Sequence, residues 1–174
     1  PTRTTGRGTP LRDDPAPRAL LAVVEVGVGR RALDAATAAE LLVGPFGGLD
    51  PLSLRRLRLA LRHEELAGGG TRPGAELVAE ALEAPGRLAT IEGRAARRAV
   101  KLAGTLEVLR GMAADATIEE LLWTAWERSG VAERWRRAAL GTGIDAAEAG
   151  RDLDGVVALF ASAKRYVEQR PTEG

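Results

Sequence analysis

Two rows of basic side chains are the feature of this sequence best suited to binding chemistry. At helical spacing, the members of each row project from one side of a helix. The rows are Arg55, Arg58 and Arg62, and then Arg94, Arg97, Arg98 and Lys101. Because arginine forks match phosphate oxygens, such rows could follow a nucleic-acid backbone. The alternative is an ordinary solvated face in a chain whose 25 basic residues include two lysines.

The residue types used in catalysis and metal binding are scarce. The chain has no Cys, which excludes disulfide scaffolds, Cys-ligated zinc, iron–sulfur clusters and thiol nucleophiles. Its one histidine, His63, has no visible nucleophile partner and is predicted to be a solvated residue near a helix end. Lys101 and Lys164 follow Val and Ala, so the chain has no Gly-Lys-Ser/Thr phosphate loop. We therefore predict no catalytic residue and no metal ligand.

Two further motifs have simpler structural interpretations. The segment from Val23 to Ala32 contains G-x-G-x-x-A, but the βαβ context of a dinucleotide fingerprint is missing, which favours a frayed helix end. Acidic pairs at Asp13-Asp14, Glu64-Glu65 and Glu119-Glu120 are predicted at helix ends or on solvent faces. Capping explains the last pair better than acid–base chemistry does.

Tryptophans supply half of the six aromatic residues. Trp123, Trp126 and Trp135 fall within thirteen residues. Stacking on single-stranded bases is one use for such rings. Because a chain rich in Leu and Ala has few other large side chains, we expect the rings to fill core volume instead.

Composition and periodicity predict the elements that must position these residues. The 174 residues are 45% apolar and 28% charged, which is typical of a globular protein. No segment alternates like a strand, whereas helix starts recur at Asp34, at Asp50-Pro51 and in the capping box from Thr117 to Glu120. We expect an all-α domain of about seven to eight helices over residues 15–170. An extended lead-in (1–14) precedes it and a tail (171–174) follows.

Charge and hydropathy limit the partners and the compartment. The net charge is only +1, so nucleic-acid binding needs local basic patches rather than an overall field. No apolar run approaches the roughly 20 residues that span a bilayer, and no secretory signal is visible. We expect no membrane partner and a cytoplasmic protein. Because the chain begins with Pro1, we expect it to be a piece of a longer one.

Three stretches of the chain resemble a known family. They are GPFGGLDPLSLRRLRLALR from Gly44, EELLWTAWERSGVAERW from Glu119 and RDLDGVVALF from Arg151. Together they resemble actinobacterial UvrD/Rep-type superfamily 1 ATP-dependent DNA helicases. The greatest likeness is to the AdnA-type subunit of a helicase–nuclease that acts in double-strand-break resection.

The resemblance implies an accessory role rather than a catalytic one. It places the chain in subdomain 2B, a helical insertion in the second RecA-like motor domain, with the lead-in as the junction from that motor. The Walker lysine, the acidic pair and the arginine finger would lie outside this chain, so ATP and Mg would bind elsewhere in the parent protein. Implied partners are DNA phosphates, the motor domains of the same chain and a second helicase–nuclease subunit, in a nucleoid-associated location. The alternative is a helical protein–protein interaction module that docks through leucine-rich faces or the tryptophan region.

Overall fold

A computed structural model describes residues 15–169, and this part of the chain contains helices but no strand. The eight α-helices are α1 (Pro15–Gly27), α2 (Ala35–Val43), α3 (Pro51–Ala67), α4 (Gly74–Glu83), α5 (Arg94–Met112), α6 (Ile118–Ser129), α7 (Val131–Ala139) and α8 (Ile144–Gln169). One 3₁₀ helix, Pro85–Thr90, joins α4 to α5. The prediction of an all-α fold with about seven to eight helices is confirmed. The lead-in and the tail lie outside the described residues.

Side chains cap the helix starts that the sequence predicted. The Asp50 carboxylate accepts a 2.6 Å hydrogen bond from the Ser53 amide, and Pro51 occupies the first turn of α3. The Asp34 carboxylate accepts a 2.8 Å bond from the Thr37 amide at the start of α2. Each bond satisfies one backbone donor that the first helical turn leaves unpaired.

The capping box at the start of α6 is also present. The Thr117 hydroxyl accepts a 3.2 Å bond from the Glu120 amide, and the Glu120 carboxylate accepts a 2.8 Å bond from the Thr117 amide. The predicted capping role is confirmed for Glu120, because this reciprocal pair fixes where α6 begins.

Helices α1 and α5 form the centre of the fold. Helix α1 packs on α5, α6 and α8, whereas α5 packs on α1, α4 and α6. Helices α2 and α3 pack on α4, and α7 packs mainly on α8. Leucines fill the core, and those that are almost completely buried include Leu20, Leu61, Leu106, Leu109 and Leu122.

A close approach of two backbones explains one glycine in α1. A methyl group at Gly27 would lie 2.6 Å from the Cβ atom of Leu109 in α5. Such a contact is too short for any side chain larger than hydrogen. Gly27 therefore serves packing, whereas Gly29 lies beyond the end of α1 with a φ of +81° and has no close neighbour. Val23 to Gly27 belong to a helix, and no strand precedes them among the described residues.

Candidate functional site

An open groove with a volume of about 340 Å³ lies beside the first half of α5. Its walls also include the loop between α2 and α3 and the turn between α6 and α7. We call it the basic groove, and its lining residues are Phe46, Gly47, Arg94, Arg97, Arg98, Lys101, Ser129, Gly130 and Arg134. Five of these nine residues are cationic and none is acidic.

Helix α5 supplies four of the five cations. Residues 94, 97, 98 and 101 stand at i, i+3, i+4 and i+7, which places them on one face of the helix. Ala96, Ala99 and Leu102 point into the core and fix the rotation of α5, so the basic face turns outward. The second predicted row therefore lies together on one concave surface.

The glycine-rich loop before α3 forms the opposite wall. Gly48 has a φ of +70°, a left-handed conformation that favours glycine, and a methyl group there would overlap the Arg98 guanidinium. Gly47 is buried against the backbone of Leu42, and no Cβ atom fits between them. Gly48 therefore lets the loop approach Arg98 of α5, and Gly47 lets the loop fold back against the end of α2.

Backbone carbonyls hold two of the cations at the rim of the groove. The Arg134 guanidinium donates a 3.2 Å hydrogen bond from Nη2 to the Pro45 carbonyl. The Lys101 ammonium donates a 3.3 Å bond to the Ser129 carbonyl. These bonds orient the two side chains but leave their charges unneutralised, because both acceptors are neutral.

The charges of the groove are not balanced by carboxylates. Within residues 15–169, none of its five cations lies within 4 Å of an acidic side chain. Burial lowers the pKa of the Arg98 guanidinium, and the neighbouring charges of Arg94 and Arg134 lower this pKa further. The like charges of Arg94, Arg98 and Arg134 therefore repel one another, and among the described residues no carboxylate offsets them.

An aromatic cluster packs behind Phe46, which lines the groove. The ring of Phe46 meets Trp126 at 6.3 Å and Trp135 at 6.2 Å, both edge to face, and the two tryptophans are 5.7 Å apart. The predicted core role is confirmed for Trp126 and Trp135, which pack against the buried core. Trp123 differs, because 52% of it is exposed and its ring contacts only Phe160 among the described aromatic residues, at 5.7 Å.

The first predicted row, on α3, lies outside the groove lining. Arg62 donates from Nη1 to the Arg72 carbonyl at 2.5 Å, which ties α3 to the loop before α4. Arg58 is half-buried, and its Nε atom is buried without a hydrogen-bond partner within the described residues. Only Arg55 of this row is fully exposed. The structure therefore does not bring the two predicted rows together in one lining.

The acidic pair Glu64-Glu65 lies in the last turn of α3, which agrees with the predicted helix end, but Glu65 is buried rather than exposed to solvent. The Glu65 side chain is 6% exposed and accepts hydrogen bonds from Arg72 Nε at 3.1 Å and from Arg87 Nη2 at 2.8 Å. Arg72 also pairs with Glu80. These hydrogen bonds from Arg72 and Arg87 lower the pKa of Glu65 from 4.5 to about 2. The network joins α3, α4 and the 3₁₀ helix, and its role is structural.

Two parts of the basic groove were not predicted from the sequence: Arg134 and the loop between α2 and α3. Arg134 stands in a short charged stretch with Arg136 and Arg137, and no local signal distinguishes it. The loop between α2 and α3 has no residue spacing that places it beside α5. Both residue sets join the site through tertiary packing, which the spacing of residues along the chain does not encode.

The described residues offer no metal centre and no membrane span. No group of three or more His, Asp or Glu side chains in residues 15–169 could hold a metal ion, and His63 is exposed. None of the helices in this range is long and apolar enough to cross a membrane. No protein-family model matches the chain, and no curated protein matches it significantly.

Proposed function

We propose that this chain is a helical accessory domain of an ATP-dependent DNA helicase, and that it contacts DNA phosphates through the basic groove. The five cations that line the groove without a carboxylate partner carry the proposal. The resemblance to UvrD/Rep-type helicases supports it independently, since that family uses such a helical insertion to contact DNA.

The electrostatics of the groove favour a polyanion as its ligand. Elsewhere in the described part of the chain, arginines such as Arg72 and Arg87 pair with carboxylates. The groove instead gathers Arg94, Arg98 and Arg134 close enough for their charges to disfavour one another. A phosphate would relieve this repulsion and accept hydrogen bonds from several guanidinium groups at once.

The shape of the groove favours a nucleic-acid backbone over a single small anion. The α5 face from Arg94 to Lys101 covers seven residue steps, or about 10 Å along the helix. At about 3.4 Å of rise per nucleotide along one strand, this distance corresponds to roughly three phosphates. The groove presents charge without base-reading amides, so we expect binding to phosphates that is independent of sequence.

The remaining roles belong to the parent helicase in this proposal. ATP and Mg would bind in its motor domains, which would contact this domain within the same chain, and a second helicase–nuclease subunit would complete the assembly. The domain itself would contribute DNA contacts and regulation of unwinding, in a nucleoid-associated, cytoplasmic location. It would hydrolyse no ATP alone, because the sequence has no Walker A motif.

A charge-reversal experiment with a matched control tests the proposal. The 174-residue chain is titrated into a fluorescent duplex with a single-stranded tail at about 50 mM salt, and anisotropy reports binding. The groove variant is Arg97→Glu with Lys101→Glu. The control is Arg30→Glu with Arg110→Glu, which makes the same change in net charge at exposed positions outside the groove.

The proposal expects the groove variant to bind at least about tenfold more weakly, and the control to stay within about threefold of the unmodified chain. Equal losses in both variants would show that net charge alone attracts DNA. Absence of binding by the unmodified chain would contradict direct contact. A third variant, Arg55→Glu, measures what the α3 row adds.

The exposed leucines on α3 favour a second candidate function, a helical protein-interaction module. Such a module would bind its partner with little salt dependence and would be sensitive to changes at exposed leucines. It would also leave the charge pattern of the groove unexplained. For this reason we rank it second.

A further inference from the structure

The outer face of α3 carries three leucines in one line. Leu52, Leu59 and Leu66 are 55%, 60% and 54% exposed. They are seven residues apart, and at 3.6 residues per turn this spacing keeps them within an arc of about 40°. The buried residues Leu54 and Leu61 lie on the opposite side of the helix and already anchor α3 to the core.

This line differs from ordinary scattered surface leucines. A single exposed leucine is common in folded proteins and needs no explanation. In a coiled coil, apolar residues occupy both the a and d positions of the heptad; here the leucines occupy one of these positions, and Arg55 and Arg62 occupy the other. The three leucines form a single apolar row, which we call the seam. The core of the domain makes no use of this face, because its three leucines remain more than half exposed.

The seam has basic side chains on both flanks. Helical spacing places Arg55 and Arg56 between Leu52 and Leu59, and it places Arg62 and His63 between Leu59 and Leu66. Arg55, Arg56 and His63 are exposed. No acidic side chain interrupts this face, since Glu64 and Glu65 project toward its other side.

We propose that this outer face of α3 is a docking surface for an amphipathic helix that carries a row of large aliphatic side chains bordered by carboxylates. The aliphatic side chains of the docked helix would pack along Leu52, Leu59 and Leu66. Its carboxylates would pair with Arg55, Arg56 and Arg62 at the flanks. Two copies of this chain do not suit the surface, because the basic flanks of one would face those of the other.

The size of the face sets the expected affinity. From Leu52 to Leu66 the seam extends over fourteen residue steps, or about 21 Å. One helix face of that length buries less than a standard interface of about 800 Å² per partner. We therefore expect a transient complex with a dissociation constant on the order of tens of micromolar.

A synthetic peptide serves as the probe. It is a fluorescent 21-residue helix with leucine at heptad positions a and d and glutamate at e and g, where like charges prevent self-pairing. A second peptide has lysine in place of every glutamate. Anisotropy measures the binding of both peptides to the 174-residue chain.

Two matched triple variants locate the contact. The first changes Leu52, Leu59 and Leu66 to alanine, which favours the helix at exposed positions. The second changes Leu140, Ile144 and Val157 to alanine, and these residues are 83%, 77% and 66% exposed but lie away from α3. Circular dichroism checks the fold of both variants. If the first variant fails to fold, Leu59→Ala alone replaces it, with an expected loss of about threefold.

The proposal expects the glutamate peptide to bind and the lysine peptide to bind at least about tenfold more weakly. It also expects the α3 triple variant to lose at least about tenfold in affinity, and the control triple to lose none. Equal binding of the two peptides, or unchanged binding to the α3 variant, overturns it. Failure to bind at about 1 mM overturns it as well. Binding of the tailed duplex should be unchanged in the α3 variant. Failure of the docking proposal can therefore be distinguished from failure of the proposal that the basic groove binds DNA.

Discussion

Phe46 connects the core to the basic groove, so its truncation should affect both stability and binding. Its ring is half-buried, lines the groove and contacts Trp126 and Trp135 edge to face. Replacing a fully buried Phe by Ala costs about 3–5 kcal/mol. Half burial reduces that figure by about half, and the two ring contacts add about 0.5–1.5 kcal/mol each. We expect Phe46→Ala to lower the free energy of unfolding by about 2.5–5.5 kcal/mol.

Thermal and urea unfolding followed by circular dichroism measure this loss. In a domain of this size, 1 kcal/mol shifts the melting temperature by about 2–4 °C, so the expected fall is about 5–22 °C. Phe46→Leu keeps apolar volume but removes the two edge-to-face contacts, and we expect it to lose about 1–3 kcal/mol. Trp123→Ala is the control outside the cluster, because Trp123 contacts Phe160 instead.

The same change should weaken DNA binding less than charge reversal does. Phe46 adjoins Pro45, whose carbonyl holds Arg134, so a loosened loop releases one of the five cations. We expect a loss of about threefold to tenfold in affinity for the tailed duplex, corresponding to one phosphate contact. An unfolding free energy within about 0.5 kcal/mol of the unmodified chain would refute the role assigned to the aromatic cluster.

Three further predictions test the packing and electrostatics of the fold. Because the folded pKa of Glu65 is about 2, its contribution to stability is present above pH 4.5 and is lost as the pH falls from 4.5 through 2. Glu65→Gln should therefore lower the melting temperature at pH 6 and flatten its decline between pH 5 and 2; an unchanged decline would contradict this. Gly27→Ala should lower the free energy of unfolding by about 1–3 kcal/mol, measured by urea unfolding, because its new methyl group would meet Leu109. The control Gly150→Ala, where the methyl group would have no close neighbour, should raise this free energy by about 0.5–1 kcal/mol. The same sign for both would refute the close-approach argument. Thr117→Ala removes one half of a capping box and should lower the unfolding free energy by about 0.5–2 kcal/mol; no loss would mean that the cap contributes nothing.

The helices and one face of the candidate site could be predicted because their signals are local. The row of Arg94, Arg97, Arg98 and Lys101 was expected on one side of a helix, and all four residues lie in α5, Arg94–Met112. The spacing of its basic row follows directly from helical periodicity. Capping residues such as Asp50 marked helix starts for the same reason, since their hydrogen bonds reach only three residues ahead.

The remaining parts depend on tertiary packing. Arg134 joins the groove only because α7 folds back beside the loop at Pro45, 89 residues away in sequence. Glu65 lies at a helix end as expected, but its burial was not predicted, because Arg87 reaches it from the 3₁₀ helix, 22 residues further along. That 3₁₀ helix itself was not predicted. Nothing in the local pattern of either segment specifies these distant partners.

The salt dependence of DNA binding tests the central claim most directly. If three to five groove cations meet phosphates, the logarithm of the association constant should fall against the logarithm of salt concentration with a slope of about −2.7 to −4.5. Changing Arg97 and Lys101 to alanine should reduce the magnitude of that slope by about 1.8, since two contacts are lost. A slope near zero, or one that this double variant leaves unchanged, would contradict phosphate contact in the groove.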